Sequence, residues 1–226
     1  MATVRTRALL VGALAALVAL APQSASAQVV YDNGAPDNSN GYPNSGTQWQ
    51  ADNFVLSSAT TLNSFQWFAV RAGTGGPATT TADFNWGIYS DAAGQPGSAL
   101  LSGSVIGGIG TKTSYYCCGS FQSYDIYSYD TNFGGLSLAA GTYWLGIGGY
   151  FDPTDGAAYW ATSNAAGGNG HYSNDDGVSF DGLSPAELAF NVSSTTVTPE
   201  PASLTLLATG LFGIVAVARR RRSSRA

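Results

Sequence analysis

Thirteen carboxylates, one histidine and one pair of adjacent cysteines are the groups in the central part of the chain that could move a proton, attack a carbonyl or hold a metal. The histidine, His171, follows the glycine-rich stretch Gly167-Gly168-Asn169-Gly170. A serine triad needs an imidazole beside an activated hydroxyl, and no Gly-x-Ser-x-Gly elbow occurs, so His171 reads as a solvated loop residue. Paired carboxylates could cleave glycosides by acid and base roles. Asp152, Asp155, Asp175, Asp176 and Asp181 are available for that, although aspartate is also ordinary turn material. Oxygen ligands for Ca2+ could come from Asp175-Asp176-Gly177 with Asn174 and Asp181, or from Asp32-Asn33 with Asp37-Asn38, and neither run matches an EF-hand loop. Cys117 and Cys118 leave three states open: buried or free thiols, a vicinal disulfide, or a link to another chain. Two sulfurs and one distant imidazole make no zinc site. A third chemistry is contact with sugar rings. Tyr115, Tyr116, Tyr124, Tyr127, Tyr129, Trp144, Tyr150, Tyr159 and Trp160 could supply aromatic faces beside polar loops, but at strand spacing the same residues suit a core.

Charge narrows the partners. Of nine Lys and Arg, only Arg71 and Lys112 lie in the middle, against twelve Asp and Glu187, so that part carries a net charge of −11. Such a polyanion repels phosphate backbones and excludes nucleic acid as a partner. It also favours solubility outside a cell.

The elements that would carry these groups are strands. Phe84, Trp86 and Ile88 alternate with polar or small residues, as do Phe65, Trp67 and Ala69, then Tyr143, Leu145 and Ile147, then Leu188, Phe190 and Val192. Gln50–Leu56, Leu100–Ile106, Ser123–Tyr129 and Ala158–Thr162 are further candidates. Asp91–Gly97 has the composition of a tight turn. Scarce Lys and Glu with many Gly, Ser, Thr and Tyr favour strands over helices. The expected fold is all-β, an antiparallel β-sandwich of jelly-roll type over residues 28–192, with a polar linker at 193–198.

Both ends read as targeting segments. Residues 1–27 have a basic start (Arg5, Arg7), an apolar run from Ala8 to Ala21, and a small-x-small site, Ala25-Ser26-Ala27, before Gln28. They imply a signal peptide handled by the export translocon and signal peptidase. At the other end Ala202–Ala218 is uncharged for 17 residues and meets Arg219, Arg220, Arg221 and Arg222 at once. As a helix it would cover about 25 Å, enough for a membrane anchor with snorkelling arginines. The positive-inside rule puts the arginines in the cytoplasm as a stop-transfer block and the ectodomain outside.

Thr198-Pro199-Glu200-Pro201-Ala202-Ser203, followed by the apolar run and the arginine-rich end (219–226), resembles the PEP-CTERM sorting signal of biofilm-forming Gram-negative bacteria. The resemblance covers residues 199–226. It implies recognition of Pro199, Glu200 and Pro201 by an exosortase, a transient membrane-anchored precursor, and delivery to the cell surface or extracellular matrix alongside exopolysaccharide. Phe84–Asp91 and Leu136–Leu145 are loosely similar to the β-sandwich ectodomains that accompany such tails. The expected function is structural or interacting, in contact with exopolysaccharide, without enzymatic activity or a cofactor beyond a potential Ca2+. The alternative is a secreted, carboxylate-dependent hydrolase of glycosidase type.

Overall fold

A computed structural model describes residues 26–71, 75–118, 124–152 and 158–196. Twelve strands fill these segments: β1 (Ser26–Asp32), β2 (Pro36–Pro43), β3 (Trp49–Leu56), β4 (Thr60–Arg71), β5 (Thr79–Asp91), β6 (Pro96–Cys117), β7 (Tyr124–Leu138), β8 (Gly141–Phe151), β9 (Ala158–Ser163), β10 (Gly170–Ser173), β11 (Gly182–Ser184) and β12 (Phe190–Thr196). No helix occurs among the described residues. The all-β, antiparallel expectation therefore holds.

The strands join in one sheet path rather than two separate sheets, in the order β1-β12-β4-β7-β6-β5-β8-β3-β10-β11, with β9 on β4 and β2 on β9. The path curls on itself like a half-barrel. β4 and β5 are separated in it by β7 and β6, yet Trp67 meets Phe84 edge-on at 5.2 Å and Phe65 meets Trp86 at 5.4 Å. Tyr31 of the first strand likewise lies 6.1 Å from Phe54 of β3. Curling lets the apolar faces of β3, β4, β5, β7, β8 and β12 meet in one core, which a flat sheet of this width would not.

Alternation sets the faces. Phe84, Trp86 and Ile88 of β5 all enter the main core with Leu145 and Ile147 of β8. On β4, Leu62 and Phe65 are three residues apart and both buried. The register shift between Leu62 and Ser64 against β7 absorbs the extra residue, as a bulge does. Trp67 lies at the centre, fully buried among Phe84, Tyr129, Tyr150 and Trp160. A second cluster, Trp49, Ala51, Tyr89, Trp144 and Phe180, forms around the β3–β8–β5 ladder. The Asp91–Gly97 turn forms as expected: Ala92 N–H donates to Gln95 O, and Ala93 and Gly94 take positive φ.

The polar linker is corrected in part. β12 runs to Thr196, and Ser193 and Ser194 pair with Ser64 and Leu62 of β4. β-branched and hydroxyl side chains suit a strand, and backbone pairing does not depend on their polarity.

Candidate functional site

The sorting residues Pro199, Glu200 and Pro201, the apolar run 202–218, the arginines 219–222, and residues 1–25 with Ala25 all lie outside the described residues. Ala27 and Gln28 stand in β1, the first strand of the sheet path. Among the described residues no helix is long and apolar enough to cross a membrane.

The carboxylates divide into unlike environments. Asp175 and Asp181 sit on the β10–β11 hairpin. The Ser179 Oγ–H donates to both, at 2.7 Å to Asp175 Oδ2 and 3.2 Å to Asp181 Oδ2. Asp175 also accepts from the Ser173 hydroxyl and, at 3.0 Å, from Ser179 N–H. These bonds, that from Ser173 first, hold its carboxyl down to about 2. Asp176 turns away in a left-handed conformation, its N–H donating to Thr47 O at 3.1 Å. Asp32 and Asp37 do not share a site with Asn33. Asp32 caps its own turn through Gly34 N–H. Asp37 accepts from Ser39 and Thr162; burial acts to raise it, the hydrogen bonds outweigh burial, and its shift is downward. Among the described residues no three His, Cys, Asp or Glu side chains converge as a metal centre.

Asn33 points inward instead, to a buried node that neither the calcium nor the hydrolase reading anticipated. Its Nδ2 donates to Asp52 Oδ2 at 3.0 Å and Glu187 Oε2 at 2.9 Å. Tyr31 Oη–H donates to Asn33 Oδ1 at 3.0 Å, Leu188 N–H to Asp52 Oδ2 at 2.6 Å, and Gly168 N–H to Glu187 Oε1 at 2.6 Å. Asp52 is fully buried, and its carboxyl is pushed well above the usual range, first by desolvation and then by the neighbouring Glu187 charge. The node ties β1, β3 and the approach to β12 together. Asp152 is also fully buried, at 3.1 Å from Arg71 Nε, with Thr80 Oγ1–H donating to it at 3.2 Å. Asp155 lies outside the described residues.

Two further expectations change. His171 is buried, not solvated: it stands edge-on to Trp144 at 5.2 Å, with Nδ1 3.3 Å from Phe180 O. Period two on the short strand β10 turns it inward and Tyr172 outward. Of the aromatic residues considered for sugar contact, Tyr127, Tyr129, Trp144, Tyr150 and Trp160 are core, and Tyr115 packs on Phe68. Tyr116 and Tyr159 are exposed. Cys117 and Cys118 are joined as a vicinal disulfide at the end of β6, with Cys117 buried beside Val70, Ile126 and Ala161.

Sequence reasoning missed Tyr172. It is 38% exposed, opposite Gly182 in the β10–β11 ladder. A Cβ on Gly182 would stand 2.1 Å from the Tyr172 ring, so the ring lies down across the glycine. Tyr172, Ser173, Asn174, Asp175, Ser179 and Asp181 line an open cavity of about 340 Å3. The signal in the sequence was the Gly170–Ser173 alternation, masked by the glycines before it.

No curated protein matches the chain. Directly after the last described strand a match does begin, and residues 197–222 match the PEP-CTERM protein-sorting motif.

Proposed function

We propose that this is an exported cell-surface or extracellular-matrix protein whose β domain has an interaction role with exopolysaccharide. The sorting motif carries the reading: it implies an exported precursor processed by an exosortase. The signal-like leader and the basic end after an apolar run give that precursor a consistent orientation, ectodomain outside and arginines inside. Two prolines around Glu200 keep the motif extended and open to an enzyme, because proline fixes its own φ and biases the residue before it away from helix.

A carboxylate hydrolase receives less support. Glycoside cleavage needs one carboxyl that holds its proton near neutral pH and can reach the substrate. Asp175 is exposed but held down to about 2, while Asp52 is raised but fully buried.

The test of sorting is fractionation with intact-mass analysis in a host that has an exosortase. Wild type should reach the surface with a shortened C-terminus. Glu200→Ala and Pro201→Ala should remain full-length in the inner membrane, and deletion of residues 219–222 should disturb anchoring. If the two motif variants reach the surface with the wild-type C-terminus, the tail is a plain anchor and the proposal fails.

A further inference from the structure

The geometry points to the Tyr172 cavity on the β10–β11 hairpin as a subsite for one uncharged pyranose ring, an inference that rests on the exopolysaccharide reading above. Two independent features make it a sugar site rather than a cluster of acids. The first is the ring. Gly182 directly opposite leaves room for Tyr172 to lie flat on the sheet, so one face is covered and the other is left to solvent. A flat, anchored aromatic face suits the apolar C–H face of a pyranose, and its position costs little side-chain entropy on binding.

The second feature is the polar wall around it. Asn174, Asp175, Ser179 and Asp181 line the same cavity, whose 340 Å3 lies at the small end of ligand sites. Asp175 is already positioned by Ser173 and Ser179 and stays ionised across the physiological range. An ionised carboxylate accepts only, so its complement is a donor such as a sugar hydroxyl. Hydroxyl pairs on a ring stacked over Tyr172 would be held by acceptors at its rim.

Charge fixes the class of sugar. Asp175, Asp176 and Asp181 all lie on this hairpin, and the two cations of the exported part are engaged elsewhere, Arg71 by Asp152 and Lys112 by Asp125 at 2.9 Å. No cation of the hairpin is there to receive a uronate, so polyuronates are repelled and neutral hexose polymers are accepted.

The test uses the exported protein purified from cells that process it, run in affinity gels containing dextran, β-1,3-glucan, β-1,4-glucan or polymannuronate. At least one neutral polymer should retard wild type and polymannuronate should not. Tyr172→Ala should weaken retardation about tenfold, the loss typical of a stacking anchor. Tyr172→Phe, which keeps the ring, should stay within about twofold of wild type, and melting curves check that both variants are folded. If folded Tyr172→Ala is retarded as strongly as wild type, the subsite is wrong while the exopolysaccharide reading stands. If polymannuronate alone retards wild type, the charge argument is wrong. If no polymer retards wild type, both the subsite and the exopolysaccharide reading fall.

Discussion

Asp52 and Glu187 accept hydrogen bonds from one and the same amide, Asn33 Nδ2, which also donates to Leu188 O at 2.9 Å. Two N–H bonds thus face three acceptors. Glu187 raises the Asp52 carboxyl through its charge and through a side-chain hydrogen bond, an arrangement that one proton held between the two would satisfy, and both residues are buried. A second negative charge in that space would have no counter-charge.

A pH dependence follows. Asp52 titrates near 3.9 in an unfolded chain and well above that in the fold, so the folded state binds more protons between the two values. Stability contributed by the protonated Asp52 is complete below about pH 4 and declines as pH rises toward the folded value. Glu187→Gln should weaken this decline. Its amide can donate to Asp52 and accept from Gly168, and Asn33 can give up one of its three acceptors. Urea midpoints of wild type and Glu187→Gln at pH 4.5 and 7.5 measure it. The contributions of Asp37 and Asp175, which have the opposite sign, cancel in that comparison. A variant with the same pH slope as wild type removes the shared-proton account.

Trp67 should be the most sensitive core position. It touches four aromatic rings and is fully buried, so Trp67→Ala should cost about 3–5 kcal/mol. Trp67→Phe should cost much less, about 1.5 kcal/mol or under. The indole Nε1–H has no hydrogen-bond partner among the described residues, and the smaller ring removes that buried donor. Denaturant unfolding of the two variants separates volume from polarity.

Where period two was long and uninterrupted, the fold could be read from the residues. Phe84-Trp86-Ile88 shows β5, and the Asp91–Gly97 turn shows its end. Strands β1, β2, β10 and β11 escaped, because they are short or polar and take their pairing from neighbours distant in the chain. The node at Asn33, Asp52 and Glu187 has the same cause. Nothing local marks these residues as partners; only the curl of the sheet brings them together. Tyr172 was hidden differently. Its outward face depends on His171 turning inward, and a histidine after three glycines gives no sign of burial.

The vicinal cysteines should respond unequally to substitution. Cys118 is exposed and has φ +78°, while Cys117 is fully buried in an apolar cluster. A bridge between neighbours closes almost no loop, so its loss frees little unfolded-state entropy. Cys118→Ser should therefore stay within about 0.5 kcal/mol of wild type. Cys117→Ser places a hydroxyl among Val70, Ile126 and Ala189 and should cost about 1–3 kcal/mol. Equal losses in the two variants would show that the bridge itself, and not burial, stabilises this end of β6.

The last strand sets where the tail can be removed without harm. β12 reaches Thr196, and the sorting motif begins at residue 197, so the sheet ends where the signal starts. A spacer of free chain at 193–198 would predict that a protein ending at Val192 is as stable as one ending at Thr196. The register predicts otherwise. Ser193 and Ser194 complete the ladder to β4 and are buried at 7% and 2% exposure. Their loss removes backbone bonds and leaves Leu62 and Ser64 of β4 paired on the β7 side but no longer with β12. Roughly 1–3 kcal/mol is expected from two such bonds, or about 2–12 °C in the melting temperature at this chain length. A chain ending at Thr196 should melt with the surface-released protein, because cleavage at or beyond the motif leaves every ladder pair in place. The measurement is a set of thermal melts on chains ending at Val192, at Thr196 and at the processed C-terminus. A Val192 chain that melts with the other two would mean that β12 beyond Val192 contributes nothing to the sheet. A Thr196 chain that melts well below the released protein would mean that the sorting segment itself stabilises the domain.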